Sequence, residues 1–276
     1  MKKQPSRLNR LELPNRVSGM SARQADFNLL SVAPENFLDT THFDTVRFPP
    51  PSWAVDAFEL AAKNGSLAYT PYRGHAEVLN ALGASLSHFL GISVDPEQNI
   101  MLTPGTQAGL FATLASLVDN GDRIALVDPD YLFNARILEF LGANIGYVPL
   151  LQSSTVPSID LDVLEHEFAE NHARVLIFSN PNNPTGYIYP KDILEKMAEL
   201  VLRYDVTVVV VDSLYSRLVH KPHEYTHLAS LPNMQERVIT LLGPSKTESL
   251  SGYRLGVVVG PAQLMPRLEN MLSITS

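Results

Sequence analysis

Short runs that are apolar nearly from end to end recur along this chain: "NIMLT", "RIALV", "NIGYV", "RVLIFS", "VTVVVV", "RVITLL" and "LGVVV". A strand with one wet face alternates polar and apolar residues, so a continuous run is expected to be covered on both sides. Between the runs lie segments with helical apolar spacing: "SWAVDAFELAAKN", "HAEVLNALGASLSHFL", "TQAGLFATLASLV", "YLFNARILEFLG", "LDVLEHEFAENH" and "KDILEKMAELVLRY". Strands alternating with amphipathic helices predict an α/β sheet with helices on both faces. The first helix is expected to stop at Gly65, and "TQAGLFATLASLV" at Asn120-Gly121. The last helix, charged on one face and apolar on the other, reads as a sheet cover. The first forty or so residues are irregular and polar, with only "FNLLSV" strand-like, and "TVRFPPPS" is a proline-rich break.

Composition removes several function classes. The net charge is −8, with no Lys/Arg-rich block beyond the scattered positives of "MKKQPSRLNR", which argues against nucleic acid or an anionic membrane as partner. The absence of cysteine excludes disulfides, thiolate metal sites and Cys nucleophiles. No apolar run has the length of a membrane span, and the N-terminus has no signal-peptide core, so a cytoplasmic location is expected.

In open α/β sheets, ligands bind outside the carboxyl ends of the strands, so the residues that follow each strand are the candidates. After "NIMLT" come Gly105, Thr106 and Gln107 at a helix start. This is either a capped helix with nothing bound or, with its free N–H groups and positive dipole, a phosphate cradle. After "RIALV" comes Tyr131, a packing residue or a plate for a planar ring. After "VTVVVV" come Asp212 and Tyr215. The acid either caps the next turn or pairs with a cation or protonated nitrogen. The Tyr faces the same side if the segment turns helically.

After "RVITLL" come Ser245 and Lys246 among small residues, with Arg254 eight residues on. Lys246 is either a solvated surface charge or an amine made nucleophilic by desolvation. His220, His223 and His227 have ligand-like spacing, but Pro222 and the lack of a helix to align the rings favour a loop over a zinc site. Trp53 is expected to pack at the start of its helix.

Together a phosphate cradle, an aromatic plate, an acid, a Tyr, an amine and an Arg describe a pocket for pyridoxal 5′-phosphate, an anionic, planar aldehyde. From "AYTPYRG" through "SNPNNPTG" to "GYRLG", in order, the sequence resembles the class I/II aminotransferases of the fold-type I pyridoxal-phosphate-dependent enzymes. The resemblance implies a three-layer αβα large domain with a mostly parallel mixed sheet. It also implies an N-terminal arm and small-domain segment over 1–45, a cofactor domain over 46–260, and over 261–276 the start of a connection to a C-terminal small domain. That small domain, with the arginine that clamps the substrate carboxylate, is largely missing before Ser276, so the chain is expected to be a fragment or a protein lacking it.

By the same resemblance Lys246 holds the cofactor as a Schiff base, Asp212 keeps its ring nitrogen protonated, and Asn183 and Tyr215 meet its phenolic oxygen. The bond from Asn183 to Pro184 is expected to be cis. Tyr131 stacks on the ring, while Gly105, Thr106, Gln107, Ser245 and Arg254 hold the phosphate. Tyr69 reaches the phosphate of a neighbouring subunit, which implies a homodimer.

The implied activity moves an amino group between an amino acid and a 2-oxo acid. A carbon–sulfur β-lyase, an aminocyclopropane-carboxylate-synthase-like enzyme and a catalytically incomplete fragment are the alternatives. A cofactor-binding module in a DNA-binding regulator finds no support, since nothing in 1–45 reads as a helix-turn-helix. Two departures from the family pattern stand out: Val32-Ala33-Pro34 in place of Gly-x-Pro, and Gly243 where many members have a phosphate-binding Ser.

Overall fold

The computed structural model describes residues 48–64, 68–151 and 158–275, together with Arg7, Arg10, Leu11, Asn28, Ser31, Val32, Pro34 and Asn36. Helices α1 (Ser52–Lys63), α2 (Ala76–Leu90) and the one-turn α3 (Pro96–Asn99) precede strand β1 (Ile100–Pro104). Then follow α4 (Thr106–Leu117), β2 (Arg123–Asp128), α5 (Leu132–Leu141), β3 (Asn144–Leu151) and the two-residue β4 (Ser158–Ile159). Next come α6 (Leu161–Ala169), β5 (Val175–Ser179), α7 (Lys191–Arg203), β6 (Val208–Asp212) and β7 (Val238–Leu242). The one-turn α8 (Pro244–Thr247), β8 (Leu255–Val259) and α9 (Met265–Ser273) complete the order. Each of the apolar runs forms a strand.

The eight strands make one sheet in the order β1-β8-β7-β6-β5-β2-β3-β4. Strands β7, β6, β5, β2 and β3 are mutually parallel, whereas β8 runs antiparallel to both β7 and β1, and β4 antiparallel to β3. The sheet is therefore mixed and mostly parallel.

The pleat explains why the strands carry no polar face. Val175 and Ile177 of β5, with Val208 and Val210 of β6, pack on one side against Leu110 and Leu114 of α4, Leu138 of α5 and Leu268 of α9. Their neighbours Leu176, Phe178, Val209 and Val211 pack on the other side against Leu164 and Phe168 of α6 and Leu194, Met197 and Val201 of α7. Successive side chains point to opposite faces, and both faces are covered, so every position must be apolar. Full burial of such a side chain contributes about 1.5–3 kcal/mol. The result is the three-layer αβα arrangement.

Several expectations are corrected. Helix α4 ends at Leu117, before Asn120-Gly121, because Val118 is buried in an extended conformation (φ −123°, ψ 125°) that leads the chain out of the helix. In "FNLLSV", Asn28 and Ser31 are helical, with the Ser31 hydroxyl donating to the Asn28 carbonyl at 2.8 Å; the remainder but for Val32, and Gly65, lie outside the described residues. Trp53 is 57% exposed and so does not pack at its helix start. Helix α9, which no periodicity argument singled out, buries Met265, Leu268 and Leu272 beside α4.

Candidate functional site

The parallel strands bring their carboxyl ends to one edge of the sheet, and β1, antiparallel to the reversed β8, points the same way. Residues far apart in sequence therefore meet there. β1 delivers Gly105 and the first turn of α4, β2 delivers Tyr131, β5 Asn183, β6 Asp212 and Tyr215, and β7 Ser245 and Lys246. Because β8 is reversed, its beginning lies at this edge, and that places Arg254 beside the other groups.

A cavity of about 190 Å³ opens at the edge. Thr106, Gln107, Tyr131, Asn183, Asp212, Tyr215, Ser245, Lys246 and Arg254 all line it, with Leu110, Leu214 and Ser251. Gly105 borders it: φ is +85°, and a Cβ there would stand 2.2 Å from Nη2 of Arg254. The guanidinium thus lies directly over a backbone position that only glycine can occupy. Tyr69 is fully exposed and lies outside this group. Of Val32-Ala33-Pro34, Val32 is exposed and Ala33 lies outside the described residues, as does most of 1–45.

Local structure fixes the wall residues. Tyr131 is the N-cap residue of α5, and its hydroxyl donates to Oε1 of Gln107 at 3.0 Å, joining two candidates. The Thr106 hydroxyl donates to the Leu242 carbonyl at 3.2 Å, tying the start of α4 to the end of β7. A Cβ at Gly243 would approach that hydroxyl to 2.7 Å, so the glycine makes room for Thr106. Peptide bonds Asn180-Pro181 and Asn183-Pro184 are cis. The Asn183 side chain makes no hydrogen bond among the described residues while its backbone N–H donates to the Ser179 hydroxyl at 2.9 Å. The segment after β6 turns as anticipated: Ser216 N–H bonds back to Ser213 and Leu218 N–H to Tyr215.

The electrostatics call for a cation. Burial pushes the Asp212 carboxyl up to about 6; the Leu214 N–H, which it accepts at 3.1 Å, and the Lys246 charge pull the other way. Burial, then the nearby Asp212, raises both Tyr131, to about 12, and Tyr215. An acid so placed is stabilised by a protonated nitrogen. At the rim, Arg254, the Thr106 and Gln107 N–H groups at the start of α4 and the Ser245 hydroxyl suit a phosphate. The donor set and the glycine cradle fit pyridoxal phosphate.

Two residues at this edge escaped the sequence reading. Asp130, between Pro129 and Tyr131, is pushed up to about 7 by burial, opposed chiefly by the Ser179 and Tyr131 N–H groups. Tyr225 donates to the Asn180 carbonyl at 2.9 Å and pairs with the Ser213 hydroxyl at 3.0 Å, so it joins the loops after β5 and β6. Neither follows a recognisable motif; the acid in "DPDY" was the only available signal. Buried His227 packs edge-on against the rings of Phe89 and Tyr225, while His220 and His223 are exposed. Burial holds His227 down to about 4, in the neutral form.

Residues 39–275 match the family Aminotransferase class I and II. Human kynurenine–oxoglutarate transaminase 1 is 31% identical over 81% of this chain and 55% of its own length. The bifunctional aspartate aminotransferase and glutamate/aspartate-prephenate aminotransferase of Petunia hybrida is 31% identical over 82% of this chain and 47% of its own. The crystal structure of an aspartate aminotransferase from Rhodobacter sphaeroides superposes with a TM-score of 0.81 at 37% identity, covering 92% of this chain and 68% of that one. The chain thus spans about half the length of the curated relatives it matches.

Proposed function

This chain belongs to the class I and II aminotransferases, and on that footing we infer that it is the cofactor-binding part of an enzyme moving an amino group between an amino acid and a 2-oxo acid. The observation that carries the reading is the single cavity in which Lys246 acts on the charge of Asp212 while Arg254 caps the glycine cradle of α4. Bound there, pyridoxal phosphate supplies an aldehyde that condenses with amines and a ring that accepts the electron pair left when an α-proton departs.

The chain's own residues supply the rest. Arg254, Ser245, Gly105, Thr106 and Gln107 anchor the phosphate, and Tyr131 covers a ring face. Asp212 keeps a proton on the ring nitrogen, which matches a carboxyl that lacks a full counter-charge. Asn183 and Tyr215 present an amide and a phenol to the phenolic oxygen. The Lys246 Nζ would hold the cofactor through its aldehyde and would serve as the base that takes the substrate's α-proton and gives it back.

A homodimer belongs to the same reading. Helix α1 exposes Trp53, Val55, Phe58 and Leu60, and Tyr69 beyond it is fully exposed, which supports a second copy as the cover and Tyr69 as its donation to the partner's phosphate. The cofactor domain is assigned to 46–260, flanked by 1–45 and 261–276. Among the described residues no helix is long and apolar enough to cross a membrane; a cytoplasmic enzyme of amino acid biosynthesis is proposed.

Titration of the protein with pyridoxal phosphate tests the reading: a visible absorbance band is expected, lost in Lys246→Ala. Addition of amino acids should convert the cofactor to its amine form. Direct release of pyruvate and ammonia would instead mark a lyase, and no band at saturation would sink the site.

A further inference from the structure

The two oxygens of one carboxylate serve two different walls of the cavity. Oδ1 of Asp130 accepts the Tyr131 N–H at 2.7 Å and Nδ2 of Asn134 at 2.9 Å, both on the segment that opens α5. Oδ2 accepts the Ser179 N–H at 2.8 Å and Nδ2 of Asn182 at 3.1 Å, both on the segment that carries Asn183. From there the bonding reaches Asn183 itself, whose N–H donates to the Ser179 hydroxyl. On the other side it reaches Gln107 through the Tyr131 hydroxyl.

Four donors converge on Asp130, and none of them is a cation. The charged group acting on it is Asp212, which repels it, and the buried phenol of Tyr189 is close enough to feel its charge. A carboxylate kept there despite its desolvation must answer a geometric need. The need is visible in the donor count. Only an acceptor-only group with two oxygens can satisfy both segments at once, because an amide has one acceptor oxygen and would turn its NH₂ toward donors of the other segment.

We propose that Asp130 is a positioning residue that holds Tyr131 and Asn183 at a fixed separation, so that a flat cofactor meets the ring plate and the amide together. Asp130 lines neither the cavity nor its rim. Its effect passes through the residues it binds. The loop after β5 is held to the loop after β2 by this carboxylate, as it is held to the loop after β6 by Tyr225.

The inference rests on the cofactor reading above, and Asp130→Asn tests it separately. Pyridoxal phosphate affinity and the pH midpoint of its visible band are measured in wild type, Asp130→Asn, Asn183→Ala and the double variant. Asp130→Asn is expected to weaken affinity roughly tenfold, the scale of one or two net hydrogen bonds, and to move the midpoint. In the Asn183→Ala background both effects should shrink below about threefold, because part of the path is already cut. Wild-type affinity and midpoint in Asp130→Asn, or undiminished effects in the double variant, would overturn the proposal. If Asp130→Asn does not fold, Ser179→Ala, which removes the acceptor of the Asn183 N–H, must still move the midpoint; an unmoved midpoint overturns it too. Wild type that binds no pyridoxal phosphate defeats the cofactor reading, and this proposal with it.

Discussion

Phe178 and Phe58 sit on opposite kinds of surface. Phe178, in β5, is fully buried beneath α7 and packs at a tilt against the Tyr189 ring, whereas Phe58, in α1, is 62% exposed beside exposed Val55 and Leu60. Both lie in apolar segments that sequence periodicity assigns correctly. The difference is who supplies the partner. Around β5 the chain covers itself, and the loops beyond are locked by Asp130 and Tyr225. Around α1 the described residues leave an apolar face that requires another surface.

Lys246→Ala is expected to have the largest effect: turnover falls by at least about 10²–10⁴, the usual contribution of a positioned proton-transfer group, and the cofactor band disappears while the fold persists. A retained band would place the amine elsewhere. Next, Phe178→Ala should lower unfolding free energy by about 3–5 kcal/mol in denaturant titrations, as an emptied aromatic site does. A loss below about 1 kcal/mol would show that the core closes around the emptied site and would remove the contrast with α1.

Gly105→Ala should cost about 1–3 kcal/mol from the positive φ alone and reduce cofactor affinity by displacing Arg254. Equal affinity would separate the cradle from the phosphate.

The acid at the cavity floor gives a pH signature. The folded Asp212 stays protonated up to about 6, above its ordinary 3.8, so the apoprotein holds an extra proton between those values. Stability from this group therefore falls as pH rises through that window and is level above it. Relative to wild type, apo Asp212→Asn should gain roughly 2–3 kcal/mol between about pH 4 and 6, read as a difference in Tm. With cofactor bound the gain should vanish, because the acid then has its cation. A gain that survives saturation would detach Asp212 from the ring nitrogen.

The smallest effect is expected for Phe58→Ala. Unfolding free energy at low protein concentration should change by no more than about 0.5 kcal/mol, while sedimentation shows weaker self-association. A large stability loss in the monomer would erase the contrast with Phe178.

Much of the site was legible because its residues are tied to strand ends. "VTVVVV" announces Asp212, "RVITLL" announces Lys246, and the repeated Asn-Pro of "SNPNNPTG" announces Asn183. Asp130 and Tyr225 were not legible, since their value lies in bonds to loops 45–52 residues away. Nothing local distinguishes them from a turn acid and a loop tyrosine. Trp53 was misjudged for a similar reason: helical spacing identifies an apolar face but not whether the same chain covers it.

The sequence by itself determined the seven long strands, most of the helices and the αβα class, because these depend on side-chain periodicity and on runs that only a doubly covered sheet can hide. It also determined which residue types end each strand. The tertiary structure alone decided that β8 runs backwards, and so that Arg254, at its start and not its end, hangs over Gly105. Strand direction depends on how the chain returns between β7 and β8, a long-range choice that an apolar run of five residues does not encode.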